Sequence, residues 1–182
     1  MKAGLNFVAV IVAVVFAVLA ASIFTVDQRQ FAIVFQLGEV REVIAKPGLY
    51  FKLPLIQNVR YFDNRILTLD STEPERFITS EKKNVLVDSF VKWKIVDPKL
   101  YYISVDGVEA RAKTRLSQTV NAGLREEFGK RTVHDVVSGE RDKIMEQMRE
   151  KADFDARKIG VEIVDVRAKR VDLPTEVSES VY

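Results

Sequence analysis

Few residues here are of a type that does chemistry. His134 is the single histidine of 182 residues, and there is no cysteine. One imidazole excludes any site built on two. The lack of cysteine excludes disulfides, thiolate zinc sites and a cysteine nucleophile. Asp135 follows His134 directly, but adjacent helical residues do not face each other. Ser138 lies four residues beyond His134, within reach on a helix, so a Ser–His contact is the one nucleophilic arrangement open to this chain. It would still need a group to orient the imidazole and donors for an oxyanion, and no pattern supplies them. Glu126-Glu127 and Asp153/Asp155 sit among basic residues, as on solvated helix faces rather than in a metal site or a carboxylate pair. Lys82-Lys83 reads as a solvated loop before a lipid or phosphate site. No P-loop, G-x-G-x-x-G or G-x-S-x-G occurs. The expectation is no catalytic residue, no cofactor, no metal and no enzyme, with His134 a surface or half-buried structural residue.

The elements that would carry such residues begin with an apolar segment. Ala3 to Val26 holds no charge, and fourteen of its residues are Leu, Ile, Phe or Val. As a helix it would reach about 36 Å, against a hydrocarbon core of about 30 Å. A cleaved signal peptide would have a shorter apolar run, although Ala20-Ala21-Ser22 resembles a cleavage site. The reading is an uncleaved transmembrane anchor over 1–26. Lys2 flanks one end, while Asp27 and Arg29 cancel at the other. The positive-inside rule then leaves a short cytoplasmic N-terminus and a body across the membrane, periplasmic in a bacterium. Ala9, Ala13, Ala17 and Ala21 recur every four residues and form a ridge on which another helix could pack, or reflect only how common Ala is in such segments.

Residues 27–96 read as a strand-rich region. Arg29–Leu37 and Val40–Ile44 form a hairpin across Gly38-Glu39. Tyr61–Leu69 is extended. In Val85–Val96, Val85, Val87, Ser89, Val91, Trp93 and Ile95 share one face. Ser80–Asn84 is the hairpin loop before it. Between Pro47 and Ile56 apolar and aromatic residues concentrate. Leu49, Tyr50, Phe51, Lys52, Leu53, Leu55 and Ile56 would form either a loop resting on the membrane surface or a buried hairpin.

The pattern changes after Asp97-Pro98 to an α+β region over 97–173. Leu100–Ile103 makes a helical turn. Val108, Ala112, Leu116, Val120, Leu124 and Phe128 mark an amphipathic helix that Gly129 would end. Thr132–Val137 is a short helix at most. A helix over 140–158 turns Ile144, Met148, Ala152 and Ile159 inward, pairs Asp153 with Arg157, and stops at Gly160. Val161 and Ile163, then after a slip in phase Val164, Val166 and Ala168, read as a strand. Pro174 opens a helix over 174–182 that runs to Tyr182 without a cap, as expected of a piece of a longer polypeptide. The fold class is α+β. The net charge of +2, from 28 basic and 26 acidic residues, argues against a nucleic-acid binder.

Several longer blocks carry a family likeness. They are Pro47-Gly48-Leu49-Tyr50-Phe51-Lys52-Leu53-Pro54, the Asp63-x-Arg65-Ile66-x-Thr68-x-Asp70 segment, the run Glu75–Ser89, Gly160–Arg167 and Leu173–Glu179. In this order, after one apolar span, they resemble the stomatin/prohibitin/flotillin/HflK/C (SPFH, band 7) family, and most of all its HflK/C branch. The likeness covers essentially the whole chain. It implies two SPFH subdomains, at 27–96 and 97–173, cut before a long C-terminal helix. It also implies a non-catalytic scaffold in the bacterial inner membrane. Such proteins pair with an HflK-like subunit in a large ring or cage and modulate the membrane AAA+ protease FtsH. The implied partners are that subunit, FtsH, membrane lipids and further copies of the chain. Other readings are a stomatin-like organiser of membrane microdomains without a protease, a membrane-anchored hydrolase, and a periplasmic tethering module with a cleaved signal.

Overall fold

Residues 2–71, 74–136 and 141–172 are described by a computed structural model, the side chains of residues 2–10, Val14 and Arg141 excepted. The helix expected over 174–182, and Ser138, lie outside them. The chain divides into two compact units at Asn64/Arg65.

The first unit opens with helix α1, Lys2–Ser22. Its 21 residues extend about 32 Å. Among the described residues no helix is long and apolar enough to cross a membrane, the described side chains of α1 beginning at Ile11. The helix ends four residues before Val26. Ile23–Val26 is strand β1 instead, antiparallel to β4, Gly48–Phe51. This β-branched and aromatic tetrapeptide fits a pleated surface better than a helix, and it finds a partner strand there. A separate sheet has the order β3-β2-β5, with β2 at Gln30–Gln36, β3 at Glu39–Ile44 and β5 at Gln57–Asp63, all antiparallel. Phe24 and Val26 of the ribbon bury against Ala32, Val34 and Ile44 of the sheet, with Tyr50 and Val59 packed alongside.

The second unit is built on β8, Asn84–Ile95. Along one edge lie β6, Leu67–Asp70, and β7, Glu75–Ile78; along the other lies β9, Val161–Asp172, all antiparallel to β8. The alternation of β8 survives intact: Val85, Val87, Ser89, Val91, Trp93 and Ile95 are all buried. Helices α2 (Pro98–Val105), α3 (Glu109–Gly129) and α4 (Arg141–Arg157) supply the rest. The four-residue stripe of α3 is buried from Ala112 to Phe128, and Phe128 meets Phe77 of β7 edge to face at 5.5 Å.

Asp97 caps α2 by accepting the Leu100 N–H at 2.9 Å, and Pro98 occupies the first turn. Gly129 is the last helical residue of α3 rather than a left-handed stop, because the chain continues through Lys130 at φ −91. Gly160 is the real stop. It has φ +76, and a Cβ there would lie 2.4 Å from the Asp97 carbonyl oxygen. The slip in phase of β9 is also real: its register against β8 shifts between Lys92 and Trp93, which leaves Val164 unpaired as a bulge.

The composition changes at Asp97, yet the unit boundary is at Asn64/Arg65. The β8–β9 pairing joins residues about seventy apart and ties the strands after Arg65 to the helices. Local pattern does not reveal such a pairing.

Candidate functional site

Helix α1 passes into β1 with no residue between them. The Ser22 carbonyl, at the end of the helix, accepts the Lys52 N–H at 2.7 Å. The Ser22 hydroxyl donates to the Val18 carbonyl at 2.8 Å. Strand pairing then sets Ile23 opposite Phe51, Phe24 opposite Tyr50 and Thr25 opposite Leu49. Side chains alternate across such a ribbon. Phe24 and Tyr50 turn inward, with ring centroids 5.9 Å apart. Ile23, Leu49 and Phe51 turn outward, and Phe51 is 73% exposed.

The chain continues into a turn that presents Leu53, Leu55 and Ile56. Leu55 is fully exposed at a left-handed φ of +76. Beside it is the β2–β3 hairpin tip, Leu37-Gly38, with φ positive at both residues. The Leu37 N–H donates to the Ile56 carbonyl at 3.4 Å, and the Leu37 side chain is 85% exposed. A left-handed conformation is costly for a bulky residue, and here two exposed leucines adopt it side by side. The result is an apolar rim of Ile23, Leu37, Leu49, Phe51, Leu53, Leu55 and Ile56 at the end of α1.

Five of the seven residues expected at a membrane surface lie on this rim. Tyr50 does not: it is half-buried against the core, and its hydroxyl donates to the Lys46 carbonyl at 3.0 Å. Lys52 is half-buried and serves through its backbone. Leu37 was not foreseen, because only the β2–β5 pairing brings it beside Ile56. On α1, Ala13, Ala17 and Ala21 are exposed, as are Ile11, Val12, Val15, Phe16 and Leu19. The Ala9 side chain lies outside the described residues.

Of the two adjacent acid–base groups, Asp135 is engaged structurally. His134 is exposed. Asp135 accepts the Thr132 hydroxyl at 2.7 Å and the Thr132 N–H at 3.1 Å, while Thr132 Oγ1 accepts the Asp135 N–H at 3.3 Å. This reciprocal cap holds the Asp135 carboxyl below the usual range. Among the described residues no three His, Asp or Glu side chains gather as a metal site would require.

Glu127 departs from the expected solvated face. It is 4% exposed, on the inner side of α3. Its carboxylate accepts from Lys151 and Arg131, and these bonds lower its pKa to about 2 against the opposing effect of burial. Arg131 also donates to Gln147 Oε1 at 2.7 Å, and its carbonyl accepts the Ser80 hydroxyl at 2.8 Å. The cluster joins α3, α4 and the β7–β8 loop. Glu126, one residue earlier, is solvated as expected and pairs with Lys130 at 2.5 Å.

The fold thus defines an α+β module carrying an apolar rim beside an apolar helix. The description "SPFH domain / Band 7 family" matches residues 24–181, and the chain belongs to that family. Among curated proteins it is similar to Protein HflC of Haemophilus influenzae, with 40% identity covering 97% of this chain and 63% of that protein. It is 30% identical to the "Modulator of FtsH protease HflC" of Escherichia coli strain K12, covering 94% of this chain and 65% of that one. Protein HflC of Buchnera aphidicola (subsp. Acyrthosiphon pisum) is 33% identical over 93% of this chain and 61% of its own length. The chain therefore spans less than two thirds of these relatives.

Proposed function

We propose that this chain is the membrane-proximal part of a non-catalytic scaffold in the bacterial inner membrane. Helix α1 crosses the bilayer once, with its short N-terminus cytoplasmic and everything after it periplasmic. The rim at its end rests on the lipid surface. The assembled protein pairs with an HflK-like subunit in a large ring or cage and modulates FtsH; the name of the Escherichia coli relative describes only the last of these, and for that protein. Many copies would each bring one anchor, so membrane affinity grows with copy number. A repeated head-to-tail contact closes into a ring and limits lateral access to a protease without chemistry of its own.

The observation that carries this reading is the continuity of α1 with the exposed apolar rim. A helix apolar on all sides is stable only within a core or a membrane. Exposed Leu and Phe gain about 1.5–3 kcal/mol each when taken out of water. The ridge of Ala9, Ala13, Ala17 and Ala21 is proposed as the face on which anchors of neighbouring subunits approach.

The test is to extract the native full-length protein from its membranes in mild detergent, measure particle size and identify what co-purifies. A very large particle containing an HflK-like subunit and an AAA+ protease is expected. A homo-oligomer lacking both would instead favour a stomatin-like organiser of membrane microdomains.

A further inference from the structure

The junction between α1 and the strands of the first unit has no intervening residue. Helix and strand share a boundary at Ser22/Ile23, and a membrane anchor tethered by a loose linker would show several intervening residues. Three interactions close the joint: the Lys52 N–H on the Ser22 carbonyl, the four-residue β1–β4 pairing, and the Phe24–Tyr50 ring contact at the base of the core. Phe24 and Val26, the second and fourth residues after the helix, are 8% and 4% exposed. A swing of α1 against the rest of the first unit is resisted by the Ser22 hydrogen bond and by the burial of Phe24, and is left only the torsions of the last helical turn.

A spanning helix of fixed length answers a change of bilayer thickness by tilting. For α1, at about 32 Å, a hydrocarbon core of about 30 Å corresponds to a tilt of about 20°, and one of about 27 Å to about 32°. A flexible linker would absorb this change. The closed joint transmits it to the strand that follows, and the rim is built on that strand. Phe51 lies opposite Ile23, the first residue past the helix, so the rim pivots at the membrane surface itself. The tilt that buries apolar side chains is the one that presses Phe51, Leu53 and Leu55 into the lipid.

We propose that the α1–β1 junction is a rigid lever, through which bilayer thickness sets how deeply the apolar rim of the first unit enters the membrane. Thin bilayers press the rim in, and thick bilayers lift it out. The inference rests on the reading of α1 as a spanning helix.

The chain has no cysteine, so a single fluorophore can be placed within it at Leu55→Cys. The full-length protein would be reconstituted in phosphatidylcholine vesicles of short, medium and long monounsaturated chains. Quenching by a shallow spin-labelled lipid reports rim depth. The expected result is quenching that falls by about twofold or more from the thinnest to the thickest bilayer. Inserting Gly-Ser-Gly-Gly between Ser22 and Ile23 should abolish that dependence. Lys52→Pro, which removes the N–H that holds the helix end and also fixes the backbone there, should weaken it, and circular dichroism shows whether each variant is folded. Equal quenching at all thicknesses in the native junction would overturn the lever, as would a folded insertion variant that follows thickness like the parent. A second label at Lys2→Cys, probed with an impermeant quencher, separates the two readings. If it lies on the same side as Leu55→Cys, the spanning reading fails and the lever with it. If it lies on the opposite side while rim depth is constant, the anchor stands and the lever alone is wrong.

Discussion

At the residue scale, the most informative side chain is Glu127. A carboxylate this buried is stable as an anion only because Lys151 and Arg131 bond to it. Its folded pKa of about 2 lies below the ordinary value, so its contribution to stability is full above about pH 5 and is lost as pH falls toward 2. The size of that contribution is on the order of 3 kcal/mol. Glu127→Gln should lower stability by about 2–3 kcal/mol at neutral pH and flatten the acid limb of the stability profile. Urea titration from pH 7 to pH 3, followed by the fluorescence of Trp93, checks this, because Trp93 is the chain's single tryptophan and is fully buried in the second unit. An unchanged acid limb would show that Glu127 does not titrate as its contacts imply. Leu37 poses the opposite case, a residue whose conformation costs energy. Asn tolerates the left-handed region far better than Leu. Leu37→Asn should therefore raise the thermal stability of detergent-free first unit structure by about 0.5–1 kcal/mol while weakening lipid contact, a trade that calorimetry and vesicle quenching together would register. His134→Ala should leave both folding and assembly with partners unchanged, and loss of a hydrolytic activity in that variant would revive the catalytic alternative.

At the element scale, the ends of the elements matter more than their interiors. Gly160 closes the turn between α4 and β9 at φ +76, and a Cβ there would lie 2.4 Å from the Asp97 carbonyl oxygen and 2.6 Å from the Tyr101 nitrogen. A methyl group would have to move backbone, not a flexible side chain. Gly160→Ala should cost more than about 2 kcal/mol, well beyond the ordinary helix-end substitution, and thermal melts would show it as a loss of several degrees. The bulge at Val164 keeps Val161, Ile163, Val166 and Ala168 all buried across a phase change. Asp153 reinforces the same edge, its carboxylate accepting the Ile163 N–H at 2.9 Å and pairing with Arg157 at 2.8 Å. The Asp153–Arg157 pair was expected as a helix-surface contact. Its second role, guarding a strand edge, follows only from how α4 lies on β9.

At the scale of the whole molecule, the chain forms two compact units, and the first of them opens with the apolar helix. Removing 1–22 should leave the strands able to form but expose the rim to water. Such a truncated protein is expected to self-associate or bind detergent, because Leu37, Leu49, Phe51, Leu53, Leu55 and Ile56 stand together and exposed. Light scattering with and without detergent tests this, and a monodisperse monomer without detergent would show that the rim tolerates water. Substituting Phe51 and Leu55 by Ser in the same truncated protein should restore solubility without changing secondary structure.

The sequence by itself determined the elements whose periodicity is long and clean. The alternation of β8 and the four-residue stripe of α3 each repeat often enough that one burial pattern satisfies them. The phase slip of β9 was legible for the same reason. The family likeness was also legible, because it rests on blocks of many residues matched in order across 24–181. Short elements were decided by tertiary pairing. Ile23–Val26 reads as the end of an apolar helix until β4 is there to bond it. The unit boundary at Asn64/Arg65 depends on β9 joining β8 across about seventy residues, and no local signal encodes that. Glu127 looked like its solvated neighbour Glu126, since a helix position one step round faces the core or the solvent only according to what packs there. The apolar rim divides in the same way. Its residues from Leu49 to Ile56 are adjacent in the chain and could be read from composition. Leu37 joins them through strand register and a left-handed turn, which exist only once the chain has folded.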